Sequence, residues 1–270
     1  MQDQQYRITG SRVPGRAGAR TEEDETVVDF ASWVVALLAA RKSVAETVMR
    51  PELLTGLIGA AICDDIERLD VFLRDLVRQK VSAAAMADLY IPAAARELGV
   101  QWHDDKITFA EVSLATARLQ SMLRAIGSAW VADVAQPRQS GTILLAVPPK
   151  EQHTLGAMVL LGQLRRLGIS VRLMIGPDRH ELKKAMETLR FDGVLVSACS
   201  AVRLAELKVF VETIRNAGPA GLPVVVGGGL LQLVDDAKAR TGADAIAHDL
   251  AGALDACGLG CNINGAEQRA

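Results

Sequence analysis

Four short apolar runs punctuate the second half of the chain: TILLAV (142–147), VRLMI (171–175), GVLVS (193–197) and PVVVGG (223–228). Helical stretches separate them, at 154–167, 179–190, 201–217 and about 230–240, with apolar residues recurring three and four apart. Strands that alternate with helices need crossover connections, and crossovers put helices on both faces of a parallel sheet. A strand covered on both faces reads as a continuous apolar run rich in β-branched residues, as these do. ADAIAHD and LAGALDACG add a short fifth strand and a last helix. Residues 140–260 are therefore expected to form a doubly wound, flavodoxin-like α/β domain with five parallel strands.

Upstream the period is different. From 26 to 134, LLTGLIGAAI, IERLDVFLRDLVRQ and FAEVSLATARLQSMLRAIGSAWV all carry helical spacing, which predicts a bundle of four or five helices. Asp64 and Asp65 lead into one helix and Ser82 is placed to cap another. Pro92 should kink that helix or start a new segment, and Gly99 should close it. The polar VADVAQPRQSG (131–141), with its Pro and Gly, marks the boundary between the two halves. Residues 1–25 lack periodic apolar positions and read as a disordered tail. Arg7, Arg12, Arg16 and Arg20 precede EEDE there, a solvated tail or an arm that touches DNA phosphates or an acidic partner.

Charge and cysteine usage exclude several roles. With a net charge of −2 and a pI near 6.1 over 270 residues, no whole-protein field favours nucleic acid, so DNA contact would need a local patch. The start is polar and predicts no signal peptide, and VVDFASWVVALLAARK is short and carries Asp29, so no membrane span is expected. Cys63, Cys199, Cys257 and Cys261 form no C-x-x-C pair, which fits a cytoplasmic protein with reduced thiols.

In such α/β folds, ligands gather outside the carboxyl ends of the strands, near the switch point of the strand order. Glu151, Gln152 and His153 follow the first strand, Ser197 to Ser200 the third, and Gly227, Gly228 and Gly229 the fourth. No G-x-G-x-x-G, P-loop or G-x-S-x-G motif is present, which leaves nucleotide binding and nucleophilic hydrolysis without support. An imidazole can ligate a metal through one nitrogen while a carboxylate or hydroxyl orients the other; Glu151 or Ser197 is the candidate partner. Three glycines after a strand let backbone approach a ligand closely.

Glu151, His153 and Gly156 as E-x-H-x-x-G, then Ser197 and Gly227–Gly228, resemble the cobalamin-binding domain of methionine synthase and its relatives over about 140–258. The resemblance implies that His153 is the lower cobalt ligand, that Glu151 supports it, and that the nucleotide tail runs along the Ser and Gly positions. Cys199 stands at the third residue of the family's S-x-L, a change expected to affect tail packing and not ligation. TGADAIAHD is similar to the domain's closing segment.

The helical half resembles the cap of CarH-type cobalamin photoreceptors, in which a Trp covers the upper corrin face and a Glu-His pair follows. Trp102 in ELGVQWHDDKITFAEVSLATARLQ matches that Trp, while Val112 and Ser113 occupy the Glu-His positions. This departure, the lack of an N-terminal helix-turn-helix and the wording AEVSLATARLQ are similar to the AerR/PpaA family of antirepressors. The resemblance implies a light-responsive, cobalamin-binding transcriptional regulator that is not an enzyme and that acts on a repressor of the CrtJ/PpsR type. Hydroxocobalamin is the favoured cofactor form, with adenosylcobalamin and methylcobalamin left open. His103, beside Trp102, is either exposed or an upper cobalt ligand reached through a flexible WHDDK turn. Two rival readings are a corrinoid carrier protein of a methyltransferase system and a domain used only for protein interaction.

Overall fold

The computed structural model describes residues 49–63, 71–72, 75–76, 79, 81–132 and 141–260. The arginine-bearing tail, Asp64, Asp65 and most of the 131–141 boundary lie outside the described residues.

Among the described residues the first helix is α1 (Pro51–Ile62), where Pro51 occupies a first-turn position whose N–H has no helical partner in any case. α2 (Ala83–Ala85) begins behind Ser82, whose hydroxyl accepts from the Ala85 N–H at 3.0 Å, the cap that the sequence predicts. It runs without a break through a π-helical segment, Met86–Tyr90, into α3 (Ile91–His103). Pro92 thus sits in the opening turn of a new segment. Gly99 does not close the helix: it lies inside α3, and the chain stays helical to His103 because Asp104 N–H still bonds the Val100 carbonyl at 2.9 Å. The turn is made instead at Asp105, with φ 56°.

α4 (Phe109–Ala132) starts at a reciprocal cap, in which Glu111 accepts from the Thr108 N–H at 2.7 Å and donates its own N–H to Thr108 Oγ1 at 3.2 Å. Leu53, Leu57, Tyr90, Leu119 and Met122 meet in the bundle core. Arg118 is buried among them and donates to the Ala61 and Cys63 carbonyls at 2.9 and 3.2 Å, satisfying the open end of α1.

The α/β half contains β1 (Thr142–Val147), α5 (Leu155–Arg166), β2 (Ser170–Ile175), α6 (Arg179–Thr188), β3 (Gly193–Ser197), α7 (Leu204–Ala217), β4 (Val224–Gly227), α8 (Ala237–Thr241), β5 (Ala245–Ala247) and α9 (Leu250–Ala256). All five strands are parallel in the order β2-β1-β3-β4-β5, the flavodoxin-like arrangement expected. Ile143, Leu145 and Leu195 pack towards α5 and α9, while Leu144, Val194 and Val226 pack towards α6, α7 and α8. One expected helix is absent: 230–240 divides into a 3-10 turn, Gly229–Gln232, and the short α8. Asp236 takes a left-handed conformation, φ 52°, which breaks helical continuity between them. Among the described residues no helix is long and apolar enough to cross a membrane.

α5 belongs to both halves. Leu155 and Val159 are buried in the bundle core, and Met158 packs against it, while Ala157 and Leu164 are buried against the sheet. At its far end Gln163 and Arg166 donate to Asp88, in the middle of the π-helical segment, at 3.0 and 2.5 Å.

Candidate functional site

The carboxyl end of β1 turns sharply. Pro148 carbonyl accepts from the Glu151 N–H at 3.2 Å, which aims the Glu151 side chain back over the end of β3. There one carboxylate oxygen accepts from the backbone N–H groups of Cys199 and Ser200 at 3.0 and 3.2 Å. The other oxygen accepts from the His153 N–H at 3.0 Å and lies 2.6 Å from His153 Nδ1. A single buried carboxylate therefore ties the loop after β1 to the loop after β3 and fixes the imidazole between them.

Burial by itself would push the Glu151 carboxyl up, but the N–H groups of Cys199 and His153 and the His153 ring reverse that and hold it at about 2. It is an anion throughout the physiological range, so in the neutral imidazole Nδ1 is the ring donor and Nε2 carries the lone pair. The Glu151 side chain is 5% exposed and the His153 side chain 70%. The result is a Lewis base presented to solvent in a fixed orientation, the arrangement that metal-binding histidines use. Ser197 is not the partner of the ring.

Ser197 and Gly227 are paired across β3 and β4. Alternation along the strands puts both on the α5 and α9 side of the sheet, Ser197 buried. Gly228 has φ 103°, and a Cβ there would stand 2.5 Å from the Ala198 carbonyl oxygen, so the close approach of the two loops requires glycine. At Gly156, in the first turn of α5, a Cβ would meet nothing within 4 Å. That glycine is not required by the protein's own packing, and it leaves room beside the imidazole. Cys199 is half-buried next to Gly229; burial, opposed by the Gly229 N–H and reinforced by the Glu151 charge, pushes its thiol up.

The upper candidates lie elsewhere. Trp102 packs against Phe109 with ring centroids 6.2 Å apart, and the two side chains, 49% and 71% exposed, form an aromatic pair at the α3–α4 turn. Phe109 stands eleven residues before Gln120, whose amide donates to Thr154 Oγ1 at 3.4 Å. The aromatic pair is thus about 16 Å along α4 from the start of α5, at 1.5 Å per residue. Val112 is half-buried and packs against the bundle core, and His103 is exposed.

Among the described residues no group of three His, Cys, Asp or Glu side chains is gathered that could hold a bare ion. One exposed imidazole nitrogen suits a metal whose other positions are already filled, as the corrin ring fills four around cobalt, and the open space at Gly156 suits a bulky group. The residues fit a corrinoid. Sequence reasoning missed the amides of Cys199 and Ser200 and the contacts of Asp88 and Gln120. Backbone donors carry no letter, and these side chains meet only once the chain is folded.

Residues 141–257 match the family model of the B12 binding domain. The chain is 38% identical over 182 residues to a Rhodobacter capsulatus 20.5 kDa protein in the bchF-crtJ intergenic region, covering 67% of this chain and 95% of that one. It is 31% identical over 137 residues to the HTH-type transcriptional repressor CarH of Myxococcus xanthus, covering 49% of this chain and 43% of CarH. The monomethylamine corrinoid protein of Methanosarcina barkeri shares the fold, with a TM-score of 0.55 at 12% identity over 77% of this chain and 94% of that one.

Proposed function

Because the chain belongs to the family of B12-binding-domain proteins of the AerR/PpaA type, we propose that it is a cobalamin-binding, light-responsive transcriptional regulator and not an enzyme. The observation that carries the reading is the Glu151-held His153, with Nε2 free at the carboxyl edge of the sheet. His153 would be the lower cobalt ligand and Glu151 the group that orients it. Ser197, Gly227 and Gly228 would line the path of the nucleotide tail, with Gly156 leaving room beside the ring. Trp102, with Phe109, would cover the upper face. Val112 and Ser113 supply no imidazole there, which favours hydroxocobalamin, whose small upper ligand needs no protein pocket. His103 is the one histidine on the α3–α4 turn and the candidate if a protein ligand does bind from above.

Bound cobalamin supplies an upper cobalt ligand that light or solvent can exchange. A ligand shifts a conformation only by binding its alternatives unequally. Here the difference would pass from His153 into α5, which follows it and is packed into the bundle core. The output would be contact with a partner repressor of the CrtJ/PpsR type. The relative encoded between bchF and crtJ supports that link, and CarH supports a role in transcription. The arginine-bearing tail is the candidate for any weak DNA contact.

The test is the absorption spectrum of the protein mixed with hydroxo-, methyl- and adenosylcobalamin, in the dark and after illumination, alongside His153→Ala. The ring is mostly exposed but donates to the buried Glu151 carboxylate, so the variant should fold with a loss of about 1–2 kcal/mol. It should bind cobalamin far more weakly and lose the spectral signature of imidazole ligation. An unchanged spectrum and affinity remove His153 from the site. The rival reading, a corrinoid carrier, requires methyl transfer in the presence of partner enzymes.

A further inference from the structure

Lys150 occupies the turn that delivers Glu151 and His153, and its backbone does not suit it. Its φ is 63°, in the left-handed region. The Pro148 carbonyl accepts from the Glu151 N–H at 3.2 Å, so Pro149 and Lys150 are the two central residues of this turn. Proline suits the first of those positions, whereas a positive φ at the second favours glycine or asparagine. A Cβ-bearing residue adopts it rarely and only where something else holds it there.

Nothing among the described residues explains the lysine. Among the described residues its ammonium makes no hydrogen bond and no ion pair. The adjacent Glu151 cannot neutralise it: that carboxylate is buried, with both oxygens occupied by donors from Cys199, Ser200 and His153. A positive charge with no counterpart among the described residues therefore stands at the lip of the site, three residues before the imidazole. A lysine serving only solubility would be equally useful where the backbone is relaxed.

We propose that Lys150 is a specificity-determining residue that engages the phosphodiester of the cobalamin nucleotide tail. The inference rests on the cobalamin reading and goes beyond ligation by His153. The corrin's own side groups are amides, so the phosphodiester is the anionic group that a lone ammonium at this edge can recognise. The contact is solvent-facing, so it should be modest and weakened by salt.

The experiment compares the full-length parent, Lys150→Gly and Lys150→Arg for binding of cobalamin and of cobinamide, which lacks the nucleotide and its phosphodiester. Urea unfolding of each chain is measured beside binding. Glycine relieves the positive φ, so Lys150→Gly should be at least as stable as the parent and weaker binding cannot be ascribed to misfolding. The parent should prefer cobalamin over cobinamide. Lys150→Gly should lose about tenfold in cobalamin affinity at low salt and little in cobinamide affinity, and Lys150→Arg should keep most of the preference. Millimolar inorganic phosphate should leave cobalamin binding unchanged, whereas competition by it would mean that the lysine holds a free anion instead. An unaltered preference in Lys150→Gly, or an equal loss for both corrinoids, overturns the assignment while leaving His153 ligation intact. A parent chain that binds neither corrinoid overturns the functional reading and this assignment with it.

Discussion

Replacing Glu151 by Gln probes how much of the site one carboxylate holds together. Its carboxyl is held at about 2 instead of the usual 4.5. At about 1.4 kcal/mol per pH unit, that difference corresponds to roughly 3–3.5 kcal/mol of stability linked to the ionised form. The folded-state value is depressed, so this contribution is present in full above pH 4.5 and is lost as the pH falls towards 2. Glutamine cannot substitute, because both edges of the carboxylate face donors. If its carbonyl faces His153, its NH2 points at the amides of Cys199 and Ser200, and the reverse placement sets NH2 against His153. Urea unfolding of the apoprotein should place Glu151→Gln about 3–3.5 kcal/mol below the parent at pH 7, with the gap closing steadily between pH 4.5 and 2. Glu151→Asp keeps the charge but is a methylene short of spanning the two loops, and it should fall between them. A gap of constant size from pH 7 to pH 3 would show that the loss comes from packing alone and would refute the linkage.

Two further substitutions test the frame around the site. Asp88→Ala removes the acceptor for Gln163 and Arg166 and leaves Arg166, a partly buried cation, without that carboxylate. It should cost about 1–2 kcal/mol and speed amide exchange at the α2–α3 junction while leaving the sheet protected, as hydrogen-exchange mass spectrometry would show. Gly228→Ala drives a Cβ to 2.5 Å from the Ala198 carbonyl oxygen at a positive φ, and should lower the thermal midpoint by more than 5 °C or so. An alanine variant as stable as the parent would mean that the β3 and β4 loops separate freely.

Much of this architecture is legible in the sequence because it depends on periodicity. The five strands and their parallel order follow from short apolar runs separated by helical stretches, and Glu151, His153 and Gly228 stand where the strand-end rule puts them. The rest depends on local competition that composition does not display. Gly99 reads as a terminator, yet the helix continues for another turn and stops at a non-glycine residue, Asp105, in the left-handed region. The π-helical segment has no pattern of its own, and its purpose is visible only in Asp88 meeting α5. The ring partner of His153 was open between Glu151 and Ser197 until the turn at Pro148 fixed where the carboxylate points.

The participation of α5 in two cores has a consequence for how such proteins can be cut and recombined. The boundary that sequence matching draws near residue 141 separates two recognisable modules, but it does not separate two folding units. A fragment that begins at β1 would carry Leu155, Met158 and Val159 into water as an adhesive stripe, and the excised bundle would keep a socket with nothing in it. Grafting the α/β half onto another helical partner would therefore require transplanting the socket as well. The modular unit is the pair, and the helix that follows the histidine is its rivet.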